Sequence, residues 1–373
     1  MRSFPTSTSR PPHQLHTVPT TYRALHKRIH ESINDHLSHL ARGRLAHLCR
    51  PTAIMLVLTE RCNSRCVHCD IWKNRGREDS PGLDGWKRVV TDLASWLGPV
   101  HVVYTGGEAL LQPFTPELVE HGVRSGLFVE LLTHGFWKDR SRLERAALAN
   151  PWRITMSIDG IGETHSVVRG RPNFWPVAEE SLSLLRRLRS DVGLRYTIRL
   201  KTVLMQQNIH NASDVARYAH DHDMEVLYQP IEQNYNTPDD PLWYRHAPTW
   251  PRDTARAMAT VRELIALKSR GYPIANTVPQ LEVMLAYFEN PAPLRVDVQA
   301  HAAPGVKPMC AAAINLEIRA NGDVRPCASA PAVGNIKERA VREIWSERPR
   351  WWSAGCCREH PAEQLVQISA GAD

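Results

Sequence analysis

Three thiols stand within eight residues, in Cys62-Asn63-Ser64-Arg65-Cys66-Val67-His68-Cys69. A chain that wraps tightly there can turn all three sulfurs toward one metal centre. Two chemistries compete for that density. A structural zinc ion needs a fourth ligand, and His68 is at hand, although zinc sites usually come as two spaced Cys/His pairs. An iron–sulfur cubane has four corners, so three cysteines leave one iron open to a ligand that is not protein. His26/His30 and His36/His39 have helical spacings that could share a metal, but no carboxylate or Cys completes a site. They read as imidazoles on a solvated helix face. Cys49 stands alone, and a lone thiol serves most simply as a small buried apolar residue.

The elements around these residues are legible from hydrophobic period. Short β-rich runs at Ile54–Thr59, Val100–Thr105, Phe128–Thr133, Ile154–Ile158, Tyr196–Leu204 and Glu225–Gln229 alternate with helical patterns. Those patterns fall near Leu83–Leu97, Phe114–Ser125, Arg140–Ala149, Val177–Arg189 and Ala212–Asp223. Regular alternation predicts an α/β fold with parallel strands joined by right-handed crossovers. Six units predict a partial (β/α)6 barrel, with chemistry at the carboxyl ends of its strands. The three-cysteine loop follows the first strand, where active sites lie and structural zinc rarely does.

The expected organisation is a flexible, Pro-bearing tail over 1–21 and a helical segment over 22–52, whose Leu25, Ile29, Ile33, Leu37, Leu40 and Leu45 recur at helical spacing. The barrel then covers 53–235, a linker and helices 236–309, and a small Cys-bearing region 310–373. Within that last region Asn315–Arg319 and Val324–Cys327 read as a hairpin turning at Asn321-Gly322, a strong hairpin dipeptide.

Composition narrows the class. Of 373 residues 42% are apolar and 23% charged, an ordinary globular balance. Neither an 18-residue apolar run nor a secretory signal is visible. The net charge of +7 is modest for this length, and without a basic appended domain it does not point to nucleic acid. Eight cysteines, grouped rather than scattered, do not suit a secreted disulfide framework. The expected setting is cytoplasmic, with metal-bound thiolates.

C-x3-C-x2-C with an aromatic residue before the last cysteine resembles the signature of the radical S-adenosylmethionine (radical SAM) enzymes. Gly106-Gly107-Glu108 after the second strand matches that family's Gly-Gly-Glu, and Thr133-His134-Gly135 matches its Thr-Asn-Gly with His in place of Asn. Ser157-Ile158-Asp159-Gly160 falls at the fourth strand end, and His165-Ser166-Val167-Val168-Arg169-Gly170 resembles its His-Asp-x-x-Arg-Gly. The resemblance implies that Cys62, Cys66 and Cys69 hold a [4Fe–4S] cluster whose open iron binds S-adenosylmethionine. Reductive cleavage would then yield a 5′-deoxyadenosyl radical. It further implies that His68 flanks the adenine and that Gly106, Gly107 and Glu108 receive the ligand ammonium. Ser157 and Asp159 would contact the ribose, and Arg169 would fork onto the methionine carboxylate.

The C-terminal region resembles the SPASM and shorter twitch extensions, whose opening Cys, spacer and Gly-x4-Cys are reproduced by Cys310, Gly322 and Cys327. With Cys356 and Cys357 four thiols are present, enough for one fully protein-ligated auxiliary [4Fe–4S] cluster. The two-cluster SPASM form needs more cysteines than remain. A zinc hairpin or unligated thiols are the alternatives. The resemblance implies hydrogen abstraction from a substrate and a reducing partner such as flavodoxin or ferredoxin. The 52 residues before the first strand are short for the leader-binding module of peptide-modifying members. The expectation is therefore a small sugar or aminocyclitol substrate, for oxidation, epimerisation or a related modification. A SPASM-type peptide-modifying enzyme is the alternative, and an iron–sulfur electron carrier a more distant one.

Overall fold

The computed structural model describes residues 20–40, 48–74, 78–234, 237, 240, 242–291, 314–326 and 331–347. Six strands follow one another, β1 (Ala53–Val57), β2 (His101–Thr105), β3 (Phe128–Thr133), β4 (Arg153–Ser157), β5 (Thr197–Leu204) and β6 (Glu225–Pro230). Each pairs in parallel with the next, so every crossover must carry the chain back along the sheet. That return is made by helices α2 (Gly82–Leu97), α3 (Thr115–Arg124), α4 (Ser141–Leu148), α6 (Phe174–Val192) and α7 (Ala212–Asp221), with a short α5 (Glu163–Val168) before α6. The period-two alternation sends Val102, Tyr104, Val129, Leu131, Ile154, Met156, Ile198, Leu200, Val226 and Tyr228 into one apolar core under these helices.

The opposite, concave face is charged. Glu130 accepts from His101 Nε2 at 2.8 Å and Arg153 Nη1 at 3.4 Å. Glu225 Oε1 lies 2.6 Å from Arg199 Nε and 3.2 Å from Arg153 Nε. These ion pairs form a polar floor across β2 to β6. The His101 ring packs edge-on against Trp152.

That floor explains how α1 (Thr20–Leu40) sits. An apolar stripe at helical spacing ordinarily faces a core. Instead Tyr22, Leu25, Ile29 and Ile33 are exposed, while Lys27, His30 and Asn34 are buried. Lys27 Nζ lies 5.1 Å over the Trp152 ring, and Arg23 Nη2 donates to the Gly126 carbonyl at 2.8 Å. A charged barrel bottom pairs with the helix's polar face, so burial goes to the side that can satisfy it. His26 and His30 therefore pack inward rather than lying on a solvated face, and burial beside His26 and Arg50 pushes His30 down to about 4.

The sheet stays open, in the order β6-β5-β4-β3-β2-β1-β7-β8-β9. β7 (Asn315–Ile318) adds in parallel to β1, and β8 (Asp323–Arg325) and β9 (Gly334–Asn335) continue antiparallel beyond the expected hairpin turn. At the other edge, Asn276 takes the Tyr228 N–H at 2.7 Å and donates to the Tyr228 carbonyl at 2.9 Å. Together with the backbone at Pro273 and Ala275, which bonds to Val226 at 2.9 and 2.8 Å, it covers the open edge of β6. Asn276 lies between α8 (Thr254–Ser269) and α9 (Val278–Glu289). α9 opens with a reciprocal capping box between Thr277 and Gln280. The stretch before α8, expected as linker, is packed at its aromatic residues: Trp243 is buried against Trp250, and Trp250 against Tyr287 and Phe288. The last helix among the described residues, α10 (Val341–Ser346), is tied to the N-terminal part by a 2.9 Å bond from Trp345 Nε1 to the Cys49 carbonyl.

Candidate active site

The expected site residues 62–69, 106–108, 157–159 and 169 meet at or beyond the carboxyl ends of β1 to β4. The loop after β1 is clamped at its start by Glu78, which sequence reasoning did not single out. Glu78 accepts from Thr59 Oγ1 at 2.7 Å, from the Glu60 N–H, from the Arg61 N–H at 3.2 Å and from Gln112 Nε2 at 3.2 Å. A lone acid in a loop carries no local signal of such a role. Farther along, Ser64 Oγ lies 3.1 Å from Cys66 Sγ and donates to the Arg169 carbonyl at 3.2 Å, while Val67 N–H reaches the Val168 carbonyl at 2.9 Å. The end of α5 therefore splints the cysteine loop.

Gly106 and Gly107 run against the same loop. A Cβ on Gly106 would lie 2.3 Å from the Thr59 carbonyl oxygen, and one on Gly107 2.4 Å from that of Arg61. Only backbone fits there. The contact is a bonded one, Gly107 N–H to Thr59 O at 2.7 Å and Glu108 N–H to Arg61 O at 2.9 Å.

Glu108 is buried and accepts from Leu110 N–H at 3.1 Å, Thr133 Oγ1 at 2.9 Å and His134 N–H at 2.8 Å. Burial nonetheless pushes its pKa up to about 7, with those donors pulling the other way. His134, the departure from the family's Asn, bridges this strand end to the cysteine loop. Phe136 N–H donates to its Nδ1 at 2.9 Å, so the proton sits on Nε2, which donates to Asn63 Oδ1 at 2.7 Å. Burial, with Arg169 and Arg171 nearby, pushes His134 down to about 3 and keeps it neutral.

Asp159 and Arg169 take places the sequence did not foresee. Asp159 is fully buried; its Oδ2 lies 2.6 Å from Arg169 Nη2 and its Oδ1 accepts from Val203 N–H at 2.9 Å. Its carboxylate is thus engaged by protein at both oxygens. Arg169 Nη1 points at Cys66 Sγ, 3.5 Å away. The guanidinium is thus not a free fork awaiting a carboxylate; only Nε lacks a partner. Ser157 is half-buried at the end of β4, in register with Lys201 of β5.

Cys62, Cys66 and Cys69 are each half-buried and unbridged. Burial pushes the Cys62 thiol up to about 12 and also raises Cys69, so these thiols ionise when a metal displaces the proton. Among the described residues no three His, Cys, Asp or Glu side chains are grouped closely enough for one metal ion. A cubane, by contrast, spreads its thiolates over separate irons. Buried polar atoms at these strand ends remain without partners, Arg169 Nε, His68 Nδ1 and His165 Nε2 among them. Burial pushes His68 down to about 4, so it meets a ligand as a neutral ring. Sulfurs for a cluster and unsatisfied donors beside them fit a cluster with a polar ligand. Cys310, Cys327, Cys356 and Cys357 lie outside the described residues.

Residues 56–216 match the radical SAM superfamily, and residues 310–363 match SPASM, an iron–sulfur cluster-binding domain. The chain is 24% identical over 309 residues to the AdoMet-dependent heme synthase of Methanosarcina barkeri, covering 79% of this chain and 82% of that one. It is 29% identical over 190 residues to the PqqA peptide cyclase of Bradyrhizobium diazoefficiens, covering 50% of this chain and 47% of the cyclase. The chain thus spans about half of that cyclase. The fold is like that of Streptococcus suis SuiB bound to precursor peptide SuiA, with TM-score 0.60 at 14% identity over 98% of this chain and 80% of SuiB.

The chain belongs to the radical SAM superfamily and carries a SPASM-type extension. It is an enzyme whose cofactors are S-adenosylmethionine, the cluster that binds it and an auxiliary iron–sulfur cluster. Among the described residues no helix is long and apolar enough to cross a membrane.

Proposed function

We propose that this enzyme modifies a peptide by abstracting a hydrogen atom from one of its side chains. The observation that carries the reading is the likeness to a peptide cyclase over half of the chain. The small-sugar expectation has no comparable support among these relatives. A tetrapyrrole substrate is the second reading, favoured by the alignment with a heme synthase over 79% of this chain.

In this reading Cys62, Cys66 and Cys69 hold the cluster. When bound and reduced, the cluster with S-adenosylmethionine supplies the one-electron chemistry for breaking a C–H bond. The chain's own residues do the positioning. Arg169 places a donor at Cys66 Sγ, and hydrogen bonds to a thiolate tune a cluster. Gly106 and Gly107 keep the backbone close to the loop, and Glu108 presents a buried carboxylate to the ligand's ammonium. That ammonium holds Glu108 ionised against the desolvation that otherwise protonates it. His68 offers a neutral ring to the adenine and Ser157 a hydroxyl to the ribose. Cys310, Cys327, Cys356 and Cys357 are the proposed ligands of the auxiliary cluster, and a flavodoxin or ferredoxin the proposed electron donor.

The test is anaerobic reconstitution, reduction and chromatography for 5′-deoxyadenosine. Wild type should form it, and the triple Cys62/Cys66/Cys69→Ala variant should not; retained formation in that variant refutes the site. Peptide profiling of cells with and without the protein then tests the substrate class, and a tetrapyrrole difference without a peptide one would favour the second reading.

A further inference from the structure

The charged concave face extends past its floor toward the site. On the floor the charges are matched: Glu130 pairs with Arg153, and Glu225 is shared between Arg153 and Arg199. The other Glu130 oxygen accepts from Thr155 Oγ1. One step up β5, Lys201 departs from this pattern. By the two-residue period it shares the face of Arg199, and it is in register with Ser157 on β4. Among the described residues its ammonium has no hydrogen-bond or ion-pair partner.

Its charged surroundings are Glu130, Glu232, Asp159 and Arg169. Glu130 is committed to the floor, and Asp159 is committed to Arg169 at 2.6 Å. Glu232, just past β6, has a partner of its own. Burial lowers the Lys201 pKa despite those carboxylates. Lys201 is half-buried, so its ammonium stays open to an incoming anion, with which it would form a charge-assisted bond.

We propose that Lys201 anchors a carboxylate of the substrate inside the barrel. The proposal rests on the reading of the strand ends as the S-adenosylmethionine site and deepens it. A carboxylate held there would be one strand away from Ser157, next to the proposed ribose position. That is where a substrate must lie for its C–H bond to be within reach. Acidic side chains of a peptide and the propionates of a tetrapyrrole share this chemistry, since each presents a carboxylate that a compact ammonium can hold as a point charge.

The experiment uses the reconstituted full-length enzyme with Lys201→Met and Lys201→Arg. The probes are a fluorescent Glu-containing peptide with its Gln counterpart, and iron coproporphyrin III with its methyl ester. Wild type should prefer the carboxylate form of one pair by about tenfold or more. Lys201→Met should lose that preference and Lys201→Arg keep most of it. S-adenosylmethionine affinity should stay within about twofold in both variants. The pair that discriminates identifies the source of the carboxylate. A preference retained in Lys201→Met, no preference in wild type, or a matching loss of S-adenosylmethionine affinity would each overturn the proposal. Absence of S-adenosylmethionine binding in wild type would instead refute the underlying site reading.

Discussion

Replacing Arg169 with Met keeps much of the side chain's length and removes its charge. The guanidinium is only 7% exposed, its partner Asp159 is fully buried, and they meet at 2.6 Å. The variant leaves the Asp159 carboxylate inside the protein with the Val203 N–H as a remaining donor. Breaking a buried pair from one side costs about 3–5 kcal/mol, most of it the penalty of the orphaned charge. The double variant Asp159→Asn, Arg169→Met removes both charges, so it should cost clearly less than the two single changes added together. With a urea slope of about 2 kcal/mol per molar, the single change should move the unfolding midpoint by roughly 1.5–2.5 M. The assay is anaerobic urea unfolding of the metal-free protein, followed by tryptophan fluorescence. Because Arg169 also donates to Cys66 Sγ and its carbonyl receives Ser64, Arg169→Met should also incorporate less iron at the first site. The simpler expectation, that losing Arg169 weakens only S-adenosylmethionine binding, is what the buried pair argues against. A midpoint shift under about 0.5 M, or strictly additive single and double variants, would refute the reasoning.

Glu108 is raised to about 7 in the folded chain against 4.5 when exposed. The folded state then holds a proton that the unfolded state has lost across that window, so its contribution to stability falls as pH rises through it, by about 3 kcal/mol in all. Relative to wild type, metal-free Glu108→Gln should gain stability between pH 5 and 8; parallel pH curves would refute this. His134→Phe removes the acceptor of the Phe136 N–H and the donor to Asn63, and should cost about 1–3 kcal/mol in the same unfolding assay. A cost below about 0.5 kcal/mol would show that the bridge is unimportant. Iron and sulfide analysis should find about eight irons in wild type and about four in either the triple Cys62/Cys66/Cys69→Ala or the Cys310/Cys327→Ala variant. Zinc in the former would remove the auxiliary cluster at the C-terminal cysteines.

Much of this protein was legible from local pattern. β-rich runs between amphipathic stretches gave the strands and crossovers to within a few residues, because a parallel sheet imposes period two on its strands and helical period on what joins them. The strand-end rule then placed each motif correctly: a loop of three cysteines, a Gly-Gly-Glu and a Ser-x-Asp can only converge if each follows its own strand. Other features depend on surfaces far apart in sequence. Arg169 reaches Cys66 across 103 residues, and Arg23 reaches Gly126 across the same separation. Nothing near Asp159 says that its carboxylate turns inward, and nothing near Glu78 says that it clamps the loop. The period of α1 is legible in the sequence and its orientation is not. Hydrophobic spacing states which residues share a face, but which face is buried depends on the charge of the surface it meets. Here that surface is a floor of carboxylates and guanidiniums contributed by strands β3 to β6, which exists only once the sheet has formed.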